Sequence, residues 1–118
     1  MKRLLNQIYF SAELLSDDVV VVGENNLVKL LISDVISNTQ ISTVEFRIVK
    51  YTRTGAVDTE ALTWTALTLD VDDIYTAQIN PTFVVSDTNE KYVLDIRIVD
   101  TSSNIHTVAD KTVTLRSV

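Results

Sequence analysis

The stretch Tyr92-Val93-Leu94-Asp95-Ile96-Arg97-Ile98-Val99-Asp100 decides the fold. Tyr92, Leu94, Ile96 and Ile98 fall on one side of an extended chain; Val93, Asp95, Arg97 and Val99 fall on the other. A period of two, written in β-branched and aromatic residues, is a strand with one buried face. Thr101-Ser102-Ser103-Asn104 is a turn cluster, with Asn104 suited to a left-handed conformation. Ile105 to Leu115 is a second extended run, and Val113 and Leu115 are its core contacts. Together they predict a long hairpin, the last two strands of a small β-sandwich.

The rest of the chain agrees with this reading. Ile74 to Ile79 is a strand with Tyr75, Ala77 and Ile79 in phase, stopped by Asn80-Pro81. In Leu62 to Leu69, Trp64 shares parity with Ala66 and Thr68 against Leu67 and Leu69, so a bulge or change of sheet falls near Ala66. Ile41 to Tyr51 alternates, with Val44, Phe46 and Ile48 inward and Glu45 and Arg47 outward on a solvated face. Leu27 to Val35 is apolar on both sides, which suits a central strand or one covered on its second face. Val19 to Val22 is too β-branched for a helix and is read as extended, continuing a first strand after a kink at Ser16-Asp17-Asp18 or standing alone before the Gly23-Glu24-Asn25-Asn26 turn. Leu4 to Leu15 is read as a strand in preference to a short amphipathic helix. The expectation is an all-β, antiparallel sandwich of seven or eight strands, with a small barrel as runner-up. Residues 1–26 form an N-terminal extension and first strand, and 27–118 the remainder of one domain.

Composition narrows the function. The 118 residues, 46% hydrophobic, suffice for a two-layer core without metal or disulfide, and there is no Cys to form one. A net charge of -6, from 16 acidic and 10 basic residues, argues against nucleic acid. The run after Lys2-Arg3 is broken by Asn6, Gln7 and Glu13, unlike a signal peptide. No apolar run approaches the roughly 18 residues of a membrane-spanning helix. With only 2 Gly, no phosphate-cradling loop is written.

Four pieces carry a resemblance. Val44-Glu45-Phe46-Arg47-Ile48, Trp64-Thr65-Ala66-Leu67, Asp73-Ile74-Tyr75-Thr76-Ala77 and Tyr92 to Asp100 with Ser103-Asn104 resemble strands of disulfide-free immunoglobulin-like modules of microbial and viral proteins. Ile74 departs from the glycine usual there, and Ser103 from the Asp-x-x-Gly-Asn turn. The resemblance implies the immunoglobulin-like form of the sandwich, with Tyr92 at a tyrosine corner, its hydroxyl bonded back to the chain. The lack of a leader, the single module and the N-terminal extension look similar to small adaptor proteins of tailed-phage particles, which implies a virion, or the host cytoplasm during assembly.

A search for chemistry finds little. His106, the single His, has no ligand spacing and no evident partner, so it is read as an ordinary residue near the head of the last strand. Asp70, Asp72 and Asp73 are turn residues whose alternative is a weak cation site. No Ser sits in a nucleophile elbow, and no insertion builds a cleft for paired carboxylates. No enzyme activity, cofactor or metal is expected. Trp64 is read as a core anchor, with an exposed platform as the rival. The apolar surplus is more telling: Leu4, Leu5, Ile8, Phe10, Val20, Val22, Leu31 and Phe83 exceed what one inner face needs and are assigned to an interface. The function expected is a structural or adaptor module contacting protein, as a homo-oligomer or part of a larger complex, without nucleic acid or membrane. The alternative is a carbohydrate-binding module using Trp64 or Tyr51 on a concave face, with Asp70 and Asp72 helping through a cation.

Overall fold

The computed structural model describes residues 10–34, 41–71, 73–81, 89–101 and 103–116, without the side chains of 10, 34, 89 and 108–110. Among them are eight strands: β1 (Phe10–Leu14), β2 (Val19–Val21), β3 (Asn26–Asp34), β4 (Ile41–Tyr51), β5 (Val57–Leu69), β6 (Ile74–Ile79), β7 (Asn89–Asp100) and β8 (Ile105–Arg116). They run in the order β1-β3-β6-β5-β4-β7-β8-β2. The protein is all-β, and its sheet curls so that two halves face each other across one core.

β7 is the expected central strand, paired with β4 on one side and β8 on the other. Leu94, Ile96 and Ile98 are buried with Val44, Phe46 and Ile48 of β4 and with Val113 and Leu115 of β8. The facing half supplies Ala12, Val28, Leu30, Ile32 and Ile79 to the same cluster. Each such Leu, Ile, Val or Phe contributes about 1.5–3 kcal/mol on burial.

β5 joins the halves. From Val57 to Leu67 it pairs with β4; at Thr68 and Leu69 it pairs with β6. Its partner Phe46 faces Thr65 and Ile48 faces Leu62, so β5 carries an extra residue between them, a bulge that turns the strand. Both events expected near Ala66 therefore occur, the bulge just before it and the change of sheet just after.

The purely antiparallel expectation fails at one pair: β2 lies parallel to β8, with Val20 opposite Leu115. The cause is local. β1 is antiparallel to β3 up to Leu14, and Leu15 N–H still donates to Lys29 O at 2.8 Å. The chain then kinks. Ser16 Oγ accepts from Lys29 N–H at 3.0 Å, Asp17 Oδ1 accepts from Val19 N–H at 3.1 Å, and Thr114 N–H donates to Asp18 O at 2.8 Å. The segment crosses to the other half without reversing, so it meets β8 in parallel.

Two local expectations are corrected. In the turn after β7 the left-handed residue is Ser103, at φ 68, not Asn104. Ser103 occupies the place a glycine fills in such turns, while Asn104 N–H donates to Asp100 Oδ1 at 2.9 Å and Asn104 Nδ2 to Oδ2 at 3.3 Å. Tyr92 is buried, but its hydroxyl meets the Glu90 side chain. Burial and that carboxylate push its pKa up to about 12.

Candidate functional site

Trp64 is not in the core. The parity it shares with Ala66 places it on the outer face of β5, half-buried, while Leu67 of the opposite parity enters the core. The outward residues of β4 and β7 stand beside it. Glu45 is registered with Arg97, and Arg47 with Asp95, so charges alternate across the two strands. Arg97 Nε donates to Glu45 Oε1 at 2.6 Å, and Arg47 Nε donates to Asp95 Oδ2 at 3.0 Å. Both guanidinium groups lie over the Trp64 ring, at 4.0 Å from its centroid for Arg97 and 4.7 Å for Arg47. Such contacts add roughly 0.5–1 kcal/mol each at exposed sites and more when drier.

Tyr51 completes the group. Its hydroxyl donates to Asp95 Oδ2 and accepts from Arg47 Nη2 at 3.4 Å. The hydrogen bond to Asp95, followed by burial, raises the Tyr51 pKa. Burial works against the Arg47 charge, but its bonds to Asp95 and Tyr51 outweigh that and raise its pKa as well. Arg47 also stands 4.0 Å from Glu60.

These side chains surround a concavity of about 250 Å³, closed on the β8 side by Thr107 and by Ile105, which is 61% exposed. Asp95, only 5% exposed, contributes to its lining. Its Oδ1 is buried and has no hydrogen-bond partner among the described residues. Arg97 uses Nε on Glu45, and among the described residues no acceptor meets its two terminal nitrogens. The cleft thus holds spare donors and two aromatic side chains.

The other outer face, on β1-β3-β6, is different. Val28, Leu30 and Ile32 point into the core, so Leu27, Lys29 and Leu31 point out. Leu31 is half-buried, registered with Glu13 of β1 and Ile74 of β6; Leu27, opposite Gln78, is 48% exposed. β3 is central, as expected, but its second face is not covered among the described residues.

The residues assigned to an interface are scattered. Val20 is 3% exposed and belongs to the core, because β2 seals the core edge beside β8; it has no surface to offer a partner. Val22 is half-buried and packs against that core. Leu31 alone of the described set lies on an outer face. Phe10 opens β1, its side chain outside the description. Leu4, Leu5, Ile8 and Phe83 lie outside the described residues.

The other candidates are also separate. Asp70 and Asp73 are exposed in the β5–β6 turn and Asp72 is outside the description; among the described residues no group of three or more His, Cys, Asp or Glu could hold a metal. His106 does have a partner: its Nε2 is 3.0 Å from Oδ2 of the buried Asp100, whose carboxylate also holds the hairpin turn. Sequence reading named Trp64 and Tyr51 only as the alternative, a platform on a concave face, and missed Arg47, Asp95 and Arg97 beside them. Outward parity on β4 and β7 was the signal for those three.

No family model matches this chain, and no curated protein matches it by sequence. Solved structures do. A superoxide reductase (neelaredoxin) from Ignicoccus hospitalis aligns with TM-score 0.51 and 11% identity, over 92% of this chain and 82% of its own. At that identity the likeness is one of fold alone. A cohesin module from a Clostridium perfringens family 33 glycoside hydrolase aligns with TM-score 0.42 and 13% identity, over 95% of this chain and 100% of its own. The CARDB domain of a Pyrococcus furiosus protein aligns with TM-score 0.44 and 13% identity, over 100% and 95%. These lower scores carry no argument.

Proposed function

We propose that this chain is a non-enzymatic module of immunoglobulin-like type that makes protein–protein contacts, and that the outer face of β1-β3-β6 makes them with a second copy of the chain. The strand order supports the type: β1-β3-β6-β5 beside β4-β7-β8 follows the order of the two sheets of an immunoglobulin domain, with β2 added to the second. The observation that carries the contact is the second side of β3, not covered among the described residues, where Leu27 and Leu31 stand outward with Ile74 next to Leu31. Lys29 stands between the two leucines, so the face offers apolar side chains in a polar setting, as the rim and surroundings of a protein contact do. Lys29 and Glu13 lie on the same face, so a two-fold arrangement sets opposite charges against each other. The tailed-phage setting has no support beyond the sequence resemblance.

Light scattering over a range of concentrations tests this reading. Mass should rise above the 13.2 kDa of one chain as concentration increases, and Leu27→Lys should return it to the monomer value. A monomer at every concentration, or association indifferent to Leu27→Lys, overturns it.

A further inference from the structure

The cleft around Trp64 lies on the opposite outer face and is chemically unlike the β3 surface. Its charges are matched within the chain: Arg47 with Asp95 and Arg97 with Glu45. A strongly anionic or cationic ligand would therefore have to displace a partner already in place. What remains unmatched is hydrogen-bonding capacity, the terminal amino groups of Arg97 as donors. The hydroxyl is a neutral acceptor, so neighbouring hydroxyls on one ring can take these donors without displacing Glu45. Trp64 and Tyr51 add the apolar, aromatic wall on which a ring's C–H surface can rest. Two volumes set the size. The cleft holds about 250 Å³, and pockets for drug-sized ligands begin at about 300 Å³. It suits a single ring or the end of a chain.

We propose that this cleft is a saccharide-binding site that takes one neutral pyranose unit, held by Arg97 against Trp64 and Tyr51. This goes beyond the protein contact assigned to β3 and does not depend on it. Arg97 supplies an in-plane donor edge kept outward by its stacking on Trp64 and its bond to Glu45. Asp95 holds Arg47 and Tyr51 in place through Oδ2, which fixes the wall of the cleft. Arg97 is also the selective element, since losing it removes a donor set without opening the core.

The chain carries its own reporter, because Trp64 is its only Trp. Titrating the full chain with glucose, galactose, mannose, N-acetylglucosamine and their short oligomers should change Trp64 emission saturably for at least one of them. Affinity on the order of millimolar is expected for one shallow ring site. Arg97→Met should weaken that binding at least about tenfold, equivalent to 1.4 kcal/mol. Amide shifts on the unaltered protein give a second reading that needs no variant. They should concentrate at Tyr51, Arg97, Ile105 and Thr107 and leave Leu27 and Leu31 unmoved. The proposal is overturned if no saccharide in the panel perturbs the cleft, if the shifts map elsewhere, or if acetate, phosphate or lysine binds there more tightly than every sugar. Survival of sugar binding in Leu27→Lys, whatever that variant does to molecular mass, separates this site from the β3 contact.

Discussion

The two outer faces of the curled sheet solve one problem in opposite ways. Over β4, β5 and β7 the outward side chains satisfy one another: two ion pairs, a tyrosine hydroxyl and a tryptophan ring form one connected group. Over β1, β3 and β6 the outward residues are mixed, with Leu27, Leu31 and Ile74 among Glu13, Lys29, Thr76 and Gln78, and Leu27 is left half in solvent. A connected polar group loses more than one interaction when one member is removed. The second face holds no such connected group among the described residues, so it tolerates change in the single chain and answers to what covers it. Damage to the first face should therefore appear in stability, and damage to the second in association.

Arg47→Met should be the most costly change on the first face. It strands the Asp95 carboxylate, which is nearly buried and already lacks a partner on one oxygen. Breaking a buried pair typically costs 3–5 kcal/mol; with Arg47 partly exposed, about 2–3 kcal/mol is expected in urea denaturation. Adding Asp95→Asn should recover more than half of it, because the stranded charge is gone. No recovery would mean that Arg47 acts by stacking on Trp64 alone, and the first face would lose its connected character.

Alkaline titration sharpens the same contrast. Tyr92 in β7 has its pKa raised to about 12 by burial and Glu90, against an ordinary value of about 10. The folded state therefore keeps this proton after the unfolded chain would release it. Its contribution is intact below about pH 10 and disappears as pH rises toward about 12, a loss on the order of 2 kcal/mol. Tyr75 in β6 is raised too, by burial and then by Asp73. Tyr92→Phe should flatten most of the alkaline fall in melting temperature, and Tyr75→Phe less of it. The reverse order would place the alkaline weak point in the β3 half.

Legibility in the sequence followed the same division. Alternation named inward residues of β4, β6 and β7 correctly, because one face of each meets the core, and in β8, where alternation is lost around Asp110, Val113 and Leu115 were still named. For Trp64 two signals conflicted: size favoured the core, while parity with Ala66 against Leu67 favoured the outer face. The bulge decided it: Leu62, of the same parity, packs on the core, while Trp64 within the bulge turns outward to Arg47 and Arg97. Val20 misled in the other sense. A run of four valines looked like surplus, but β2 crosses to the second half and spends Val20 on the core edge. The cleft could not be read in advance because it depends on register. Arg47 and Asp95 are 48 positions apart, and nothing in either strand states that they will be opposite. The parallel β2–β8 pair was hidden for the same reason, as it rests on a kink that changes sheets without turning back.

The turns differ between the halves as well. The turn between β2 and β3 places Gly23 at φ 88, where glycine is at ease; the turn between β7 and β8 places Ser103 at φ 68. A left-handed non-glycine residue costs about 1–2 kcal/mol, part of which glycine returns through the unfolded chain's entropy. Ser103→Gly should raise stability by about 1 kcal/mol, seen as a higher urea midpoint at unchanged slope. An unchanged midpoint would indicate that the Asp100–Asn104 hydrogen bonds already absorb the strain.

The smallest effect on the single chain should come from Leu27→Lys, and its smallness is the point. Leu27 points away from the core, is half exposed, and faces Gln78 across the β3–β6 ladder. A lysine stem can lie along the same surface with its ammonium in water. The new positive charge stands near Lys29 on the same face, but both are at the surface and the chain has net charge -6, so the repulsion is small. Monomer stability should shift by no more than about 0.5 kcal/mol, the range of surface substitutions without a special role. Measured at dilution, where any association is absent, that value isolates the chain from its contacts. A loss above about 1 kcal/mol there would mean that Leu27 is covered within the single chain, since exposed sites do not carry such a cost. The β3 face would then be a second core and not a contact surface.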